Sequence, residues 1–218
     1  MSLWETNNEQ STLLSLLYGV DVTQYKTEDE LNERLSELKE EKAKIDVKDK
    51  RNRLENEKYV CISTSSTAGC KHWHKWQELV DHLSSRGYKV VVIQKEPLDY
   101  MDLNGLKNVI FPDTKDSIEE AIAWLYHCEF YIGLSSGISW LAHSLDKEVV
   151  MIAGFTEPYN EFTCRRVINY NVCYGCWHNH LFDKGDWRWC PEHKDTEREF
   201  ECSKTIELKD IIKVMPTN

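Results

Sequence analysis

From Tyr59 to Gly154 short apolar segments alternate with amphipathic ones, and this alternation constrains the fold more than any other feature of the chain. YVCIST (59–64), YKVVVIQ (88–94), KNVIF (107–111), FYIGL (130–134) and EVVMIAG (148–154) read as strands. YKVVVIQ is β-branched and almost continuously apolar, as a strand buried on both faces should be. Pro112 stops the third segment, and EVVMIAG is the last clear strand. Between them, Trp73, Trp76, Val80 and Leu83 recur at helical spacing up to Gly87. Ser117-x-x-Glu120 is a capping box ahead of Ile118, Ala121, Ile122 and Leu125. Gly137 to Leu145 reads as a short helix, and a final helix covers Glu207 to Met215, before Pro216. Strand–helix alternation implies right-handed crossovers, so the expected class is α/β: a parallel sheet with helices on both faces.

Ligands of open α/β sheets bind beyond the carboxyl ends of the strands. Two loops there have the chemistry to hold a phosphate. Ser63-Thr64-Ser65-Ser66-Thr67-Ala68-Gly69-Cys70-Lys71 offers hydroxyls, amides near a helix start and one cation, although a solvated Ser/Thr loop has the same composition. Gly133-Leu134-Ser135-Ser136-Gly137-Ile138-Ser139 joins a strand to a helix N-terminus through small residues, which equally suit a tight turn. Glu96 and Glu157 follow strands on the same rim and could bond a sugar hydroxyl, though lone surface glutamates are commoner. Trp73, Trp76, Trp124 and Trp140 fall on helices and read as core. No acid–base arrangement is readable, and the catalytic residue is unassigned.

Residues 172–203 break the pattern. They hold Cys173, Cys176, Cys190 and Cys202 among three tryptophans and three histidines, without a period of 2 or 3.6. Four thiolates around one metal would order such an insert; two disulfides or unpaired buried thiols are the alternatives. Any of His178, His180 and His193 could replace a cysteine. Sequence does not choose between iron and zinc. The first twenty residues lack the layout of a secretory signal, so a reducing, cytoplasmic setting is expected, which favours a metal over disulfides. The formal net charge of −10 disfavours a nucleic-acid binder, and no apolar run is long enough to span a bilayer.

Before the alternating region, Leu13–Tyr18 is a short apolar segment closed by Gly19, and Thr27-x-x-Glu30 caps a helix expected to run to about Lys44. Residues 46–58 are of mixed charge and read as a linker. The expected division is a helical segment and linker over 1–54, a remnant of a preceding domain, and a nucleotide-sugar-binding domain over 55–218 that includes the 172–203 cysteine loop.

The stretch YVCISTSSTAGCKHWHKW (59–76) resembles the opening of the nucleotide-sugar half of bacterial heptosyltransferases, with Lys71 and Trp73 after the hydroxyl-rich loop. YIGLSSGISWLAHSLDKEVVMIAGFTEP (131–158) resembles the second ligand loop of that family. The lipopolysaccharide branch usually carries Asp at the position of Ser135 and His at that of Trp140. The SSGISWLA form and the four cysteines are closer to the autotransporter heptosyltransferases. The resemblance implies one Rossmann-like half of a GT-B glycosyltransferase, transferring heptose from ADP-heptose to serines of an autotransporter-like protein acceptor. It implies that Ser63, Thr64, Ser65 and Lys71 hold the diphosphate, and that Ser135, Ser136, Gly137 and Ser139 meet the phosphates or sugar. Glu96 would contact the nucleoside, and Cys173, Cys176, Cys190 and Cys202 would hold a structural iron. A homo-oligomer, or completion by an N-terminal domain carrying the acceptor site, follows from the same likeness. The reading from another class is a non-catalytic nucleotide-binding or assembly module with a structural metal site.

Overall fold

The computed structural model describes residues 30, 47, 51–55, 57–66, 69–94, 105–114, 117–179 and 190–217. Glu30 is helical, but the rest of the expected Thr27–Lys44 helix, the Leu13–Tyr18 segment, Glu96 and His180 lie outside the described residues. The chain divides into two compact units, Met1–Ile45 and Asp46–Asn218, and every described residue except Glu30 belongs to the second.

That unit is built on six parallel strands: β1 (Tyr59–Ser63), β2 (Lys89–Val92), β3 (Val109–Ile110), β4 (Tyr131–Leu134), β5 (Val149–Ile152) and β6 (Arg165–Val167). Five match the expected strands. The sixth, Arg-Arg-Val, carries no sequence signal, because three residues with two charges are too few for a period to register. The helices are α1 (Trp76–Ser85), α2 (Ile118–His127), α3 (Gly137–Ser144), α4 (Glu201–Lys204) and α5 (Leu208–Val214). Ser117 caps α2 as its sequence predicts, accepting from the Glu120 amide at 3.2 Å. The first helix starts at Trp76 rather than Trp73. Trp73 lies in the turn before it, edge-on to Trp76 at 5.0 Å between centroids, with its indole N–H donating to the Ile206 carbonyl at 2.9 Å.

Strand periodicity sorts the core. Val60, Ile62, Val90, Val92, Ile132, Leu134, Val150 and Ile152 pack with Leu79, Val80 and Leu83 of α1 and with Ile211 of α5. On the intervening positions Tyr59 meets Trp124 of α2, edge-on at 5.7 Å, and its hydroxyl donates to the Trp124 carbonyl. Each fully buried aliphatic side chain stabilises the sheet by about 1.5–3 kcal/mol relative to an exposed one. Part of the expected linker is tied to the fold. Arg53 grips Glu120 of α2 with two nitrogens, at 3.2 and 2.8 Å.

The strand order is β3-β2-β1-β4-β5-β6. Successive connections run outward in one direction from β1 and in the other from β4, so the order reverses between these neighbours. Their carboxyl ends open a crevice at the switch point, where open α/β sheets take ligands. The two hydroxyl-rich loops leave from those two ends.

Candidate functional site at the β1–β4 switch

Parallel pairing sets Ser63 beside Gly133, so the loop after β1 and the loop after β4 leave the sheet side by side. Lys71 closes the first loop, at the end of a 3-10 turn, Gly69–Lys71. Its ammonium donates to the Ser135 carbonyl at 3.0 Å and lies 5.6 and 5.8 Å from the ring centroids of Phe155 and Trp177. Burial pulls the Lys71 pKa down; the Cys70 and Glu161 side chains oppose that shift. A half-desolvated cation of this kind favours an anionic ligand, whose arrival would supply the hydrogen bonds and countercharge that burial removed.

The hydroxyls differ in what they can do. Ser63, Thr64, Ser65 and Ser66 are all buried, which sets this loop apart from a solvated Ser/Thr turn. Thr64 Oγ1 donates to Gln94 Oε1 at 2.9 Å, so it braces β1 against the end of β2. Ser63 bonds the Tyr131 hydroxyl, whose pKa burial pushes up to about 12. Ser139 is fully buried and donates to the Leu134 carbonyl at 2.5 Å. Ser136 occupies the N-cap of α3 without bonding an amide through its side chain, and a Cβ added at Gly137 would meet only open space. The start of α3 therefore presents its amides to a roomy part of the crevice. Gly133, by contrast, does not make room for a ligand: a Cβ there would strike the Tyr131 hydroxyl of its own strand.

Glu161 escapes sequence reading, since it sits in an irregular segment after β5 with no motif around it. Its carboxylate accepts from the Ser135 hydroxyl, from Thr156 Oγ1 at 2.9 Å and from Arg166 Nη2 at 2.5 Å. Glu157, which sequence did single out, caps the Pro158–Asn160 turn in a reciprocal pair with Asn160.

The cysteine segment packs against this same end of the sheet. Cys176 and Cys202 are buried, as is Cys190, and Cys173 is half-buried. Cys173 Sγ and Cys176 Sγ are 3.9 Å apart. Four thiolates bonded tetrahedrally at about 2.3 Å to one ion would be separated by roughly 3.8 Å. Burial pushes the Cys176 thiol up, and the neighbouring Cys173, Cys202 and Cys190 push it further; burial likewise raises Cys202, to about 11. Cys176 and Cys202 are therefore held as neutral thiols, and a bound cation would draw the thiolate form out of them. Among the described residues no three of the four sulfurs lie within 4.8 Å of one another, so the Cys173–Cys176 pair is the part of the expected donor set that stands at metal-binding spacing. His193 and Glu201 also stand by: their ligand atoms and the Cys173 sulfur lie within 4.8 Å of one another. Glu201 is occupied, however, accepting from the Cys173 amide at 3.1 Å and from Arg198 at 2.6 Å.

Main-chain bonds join the cysteine segment to the chain beyond β5, from the Gly175 amide to the Gly154 carbonyl at 3.0 Å and from the Trp177 amide to the Phe155 carbonyl at 3.2 Å. A Cβ at Gly154 would strike the Cys202 carbonyl oxygen, so only glycine allows this approach. Cys70, next to Lys71, packs with Phe155 and Cys176 in one apolar cluster. The Ser203 hydroxyl donates to the Cys70 carbonyl at 2.5 Å.

Among the described residues no helix is long and apolar enough to cross a membrane. Autotransporter heptosyltransferase TibC of Escherichia coli O78:H11 is 40% identical to this chain over 172 residues, covering 71% of this chain and 40% of TibC. The inactive autotransporter heptosyltransferase BimC of Burkholderia thailandensis is 37% identical over 163 residues, covering 70% of this chain and 38% of BimC. The crystal structure of dodecameric, iron-containing TibC in complex with ADP-D-beta-D-heptose superposes with a TM-score of 0.66 at 37% identity, over 75% of this chain and 46% of that one. The chain spans less than half the length of these relatives. The sequence profile of glycosyltransferase family 9 matches residues 8–177, through both crevice loops and into the cysteine segment, and on that match the chain belongs to glycosyltransferase family 9, the heptosyltransferases.

Proposed function

We propose that this chain supplies the donor half of an autotransporter-type heptosyltransferase, holding an ADP-sugar such as ADP-heptose in the β1–β4 crevice. The observation that carries the proposal is the 3.0 Å bond from Lys71 to the Ser135 carbonyl, because it joins the two phosphate-suited loops at the switch point. Lys71 meets the diphosphate and neutralises the charge that gathers on it as the sugar–phosphate bond breaks. The amides at the start of α3, from Gly137, with Ser136 beside them, contact a phosphate or the sugar. Ser65, buried in the same loop, joins Lys71 at the diphosphate, while Ser63, Thr64 and Ser139 hold the loops in shape through Tyr131, Gln94 and the Leu134 carbonyl. Glu96 is assigned to the nucleoside. Cys173, Cys176, Cys190 and Cys202 hold a structural metal, iron by likeness to TibC, with zinc as the alternative. The metal supplies cross-linking order to the loop and takes no part in transfer. A serine-bearing, autotransporter-like acceptor, a cytoplasmic location and assembly into a homo-oligomer follow from the same likeness. Residues 1–54 then lead into the donor domain of 55–218, to which Arg53 is already tied, and transfer requires an acceptor half.

Calorimetric titration with ADP and with ADP-heptose tests this reading. Micromolar binding of both is expected, with AMP weaker; no binding of either would end it. BimC, at 37% identity, is inactive, which favours a second reading as a nucleotide-binding or assembly module. ADP release from ADP-heptose on adding acceptor protein and a complementary N-terminal half separates the two.

A further inference from the structure

Behind the β4 loop lies a polar network that no ligand-binding motif marks. Glu161 and Arg166 form an ion pair whose side chains are 7% and 8% exposed. Burying such a pair costs more than it returns unless the remaining polar atoms find partners. Glu161 is satisfied, with Ser135, Thr156 and Arg166 all donating to it. Arg166 is not, because Nη1 is buried and has no hydrogen-bond partner among the described residues. Lys71 stands on the other side of Ser135, donating to its carbonyl, while the hydroxyl of the same residue is drawn to Glu161. Ser135 is therefore gripped at both ends. Two cations, Lys71 and Arg166, flank one carboxylate, and the Lys71 ammonium keeps two N–H groups for a ligand in the crevice.

For stability alone, apolar residues would serve as well or better in this place. A satisfied carboxylate that anchors the residue holding Lys71 does have a use, since an anion site works best when its donors are fixed beforehand. We propose that Glu161 is a positioning residue of the donor site: it fixes Ser135, and through the Ser135 carbonyl the Lys71 ammonium, with Arg166 holding the Glu161 carboxylate in place. The assignment rests on the donor-binding reading and deepens it. It also changes the part played by Ser135. With its hydroxyl proton given to Glu161, Ser135 serves the ligand through its main chain and through Lys71.

The test must separate position from charge. Glu161→Gln would leave one acceptor oxygen for three donors but also remove a negative charge that repels the ligand, and the two effects oppose each other. Glu161→Asp keeps the charge and withdraws the carboxylate by one methylene. Titration of the full chain with ADP and with adenosine is expected to show Glu161→Asp weakening ADP by about tenfold, the loss of one well-placed charged hydrogen bond. Adenosine affinity should hold, because the nucleoside does not feel Lys71; a merely structural lesion would weaken both. Ser135→Ala breaks the same link with no change of charge, and should weaken ADP by a similar factor. The double variant should be no worse than either single, since both cut one chain of contacts. If Glu161→Asp does not fold, Ser135→Ala carries the test alone. ADP binding within about threefold of wild type in Ser135→Ala, or in a folded Glu161→Asp, overturns the positioning role. Lys71→Met distinguishes the two failures: if it loses ADP while these variants do not, the donor site stands and this inference falls. A wild-type chain that binds no ADP overturns both.

Discussion

Replacing Lys71 by methionine removes the ammonium while leaving a stem of similar length between Phe155 and Trp177. The expected effect follows from what surrounds the nitrogen. It is half-buried and donates one hydrogen bond, to Ser135, which leaves two N–H groups for a phosphate. Two unit charges about 4 Å apart attract by about 4 kcal/mol at the effective dielectric of a protein boundary, an upper limit for the contact. Hydrogen bonds to charged groups are worth about 1.5–3 kcal/mol net. A loss of roughly 2–3 kcal/mol, or about 30- to 150-fold in the ADP dissociation constant, is therefore expected. Stability should change little. The Ser135 carbonyl loses a donor, at about 1 kcal/mol, but a cation no longer has to be buried. Calorimetric titration at fixed salt reads the affinity, with adenosine as the control that should not move, and urea denaturation reads the stability. An ADP affinity within threefold of wild type would remove Lys71 from the site. An equal loss of adenosine binding would mean that the substitution had deformed the crevice.

Because burial holds the Lys71 pKa below its usual value, while a bound diphosphate would raise it, ADP binding should take up protons at alkaline pH. Affinity then falls as pH climbs through the pKa of the empty site; binding enthalpies in two buffers of different ionisation heat measure the uptake, and proton release would contradict the assignment. Cys190→Ser should lower the metal content of purified protein and leave the far-UV dichroism of the sheet intact, since Cys190 lies outside every strand. Unchanged metal by elemental analysis would exclude Cys190 as a ligand. Trp73→Phe keeps most of the ring but leaves the buried Ile206 carbonyl without its indole donor, so unfolding in urea should show a loss of about 1–3 kcal/mol.

Legibility in the sequence followed the physical signal available. Buried parallel strands such as KVVV and YIGL announce themselves, because both faces demand apolar side chains. Ser117 announces the start of α2, because a cap is a local bargain between a side chain and an amide three residues on. The two hydroxyl-rich loops were findable as chemistry at strand ends, but their convergence was not, since strand order is absent from periodicity and appears only once β1 is seen between β2 and β4. β6 and the Glu161–Arg166 pair escaped for one reason. A short edge strand carrying two arginines, and a carboxylate in an irregular segment, gain their meaning from partners that are distant in other elements. Trp73 was misplaced by spacing. It falls three residues before Trp76, as a helical neighbour would, yet its burial is fixed by the Ile206 carbonyl, far along the chain.

The cysteine segment and the crevice are usually separate subjects, structure and chemistry, but here they share atoms. Lys71 ends a turn whose middle residue, Cys70, is held by the Ser203 hydroxyl and packs on Cys176. One of the rings facing the Lys71 ammonium belongs to Trp177, beside Cys176. Phe155, the other ring, bonds the Trp177 amide through its carbonyl. The described part of this segment has few regular backbone bonds and opens readily unless something cross-links it, and its cysteines are suited to be cross-linked by a metal. A metal there would therefore order more than its own loop. It would hold the rings that desolvate Lys71, and desolvation is what makes a single lysine count against a diphosphate in water. On this argument, loss of the metal weakens ADP binding without touching a residue that meets the nucleotide, and does so most for the diphosphate and least for adenosine.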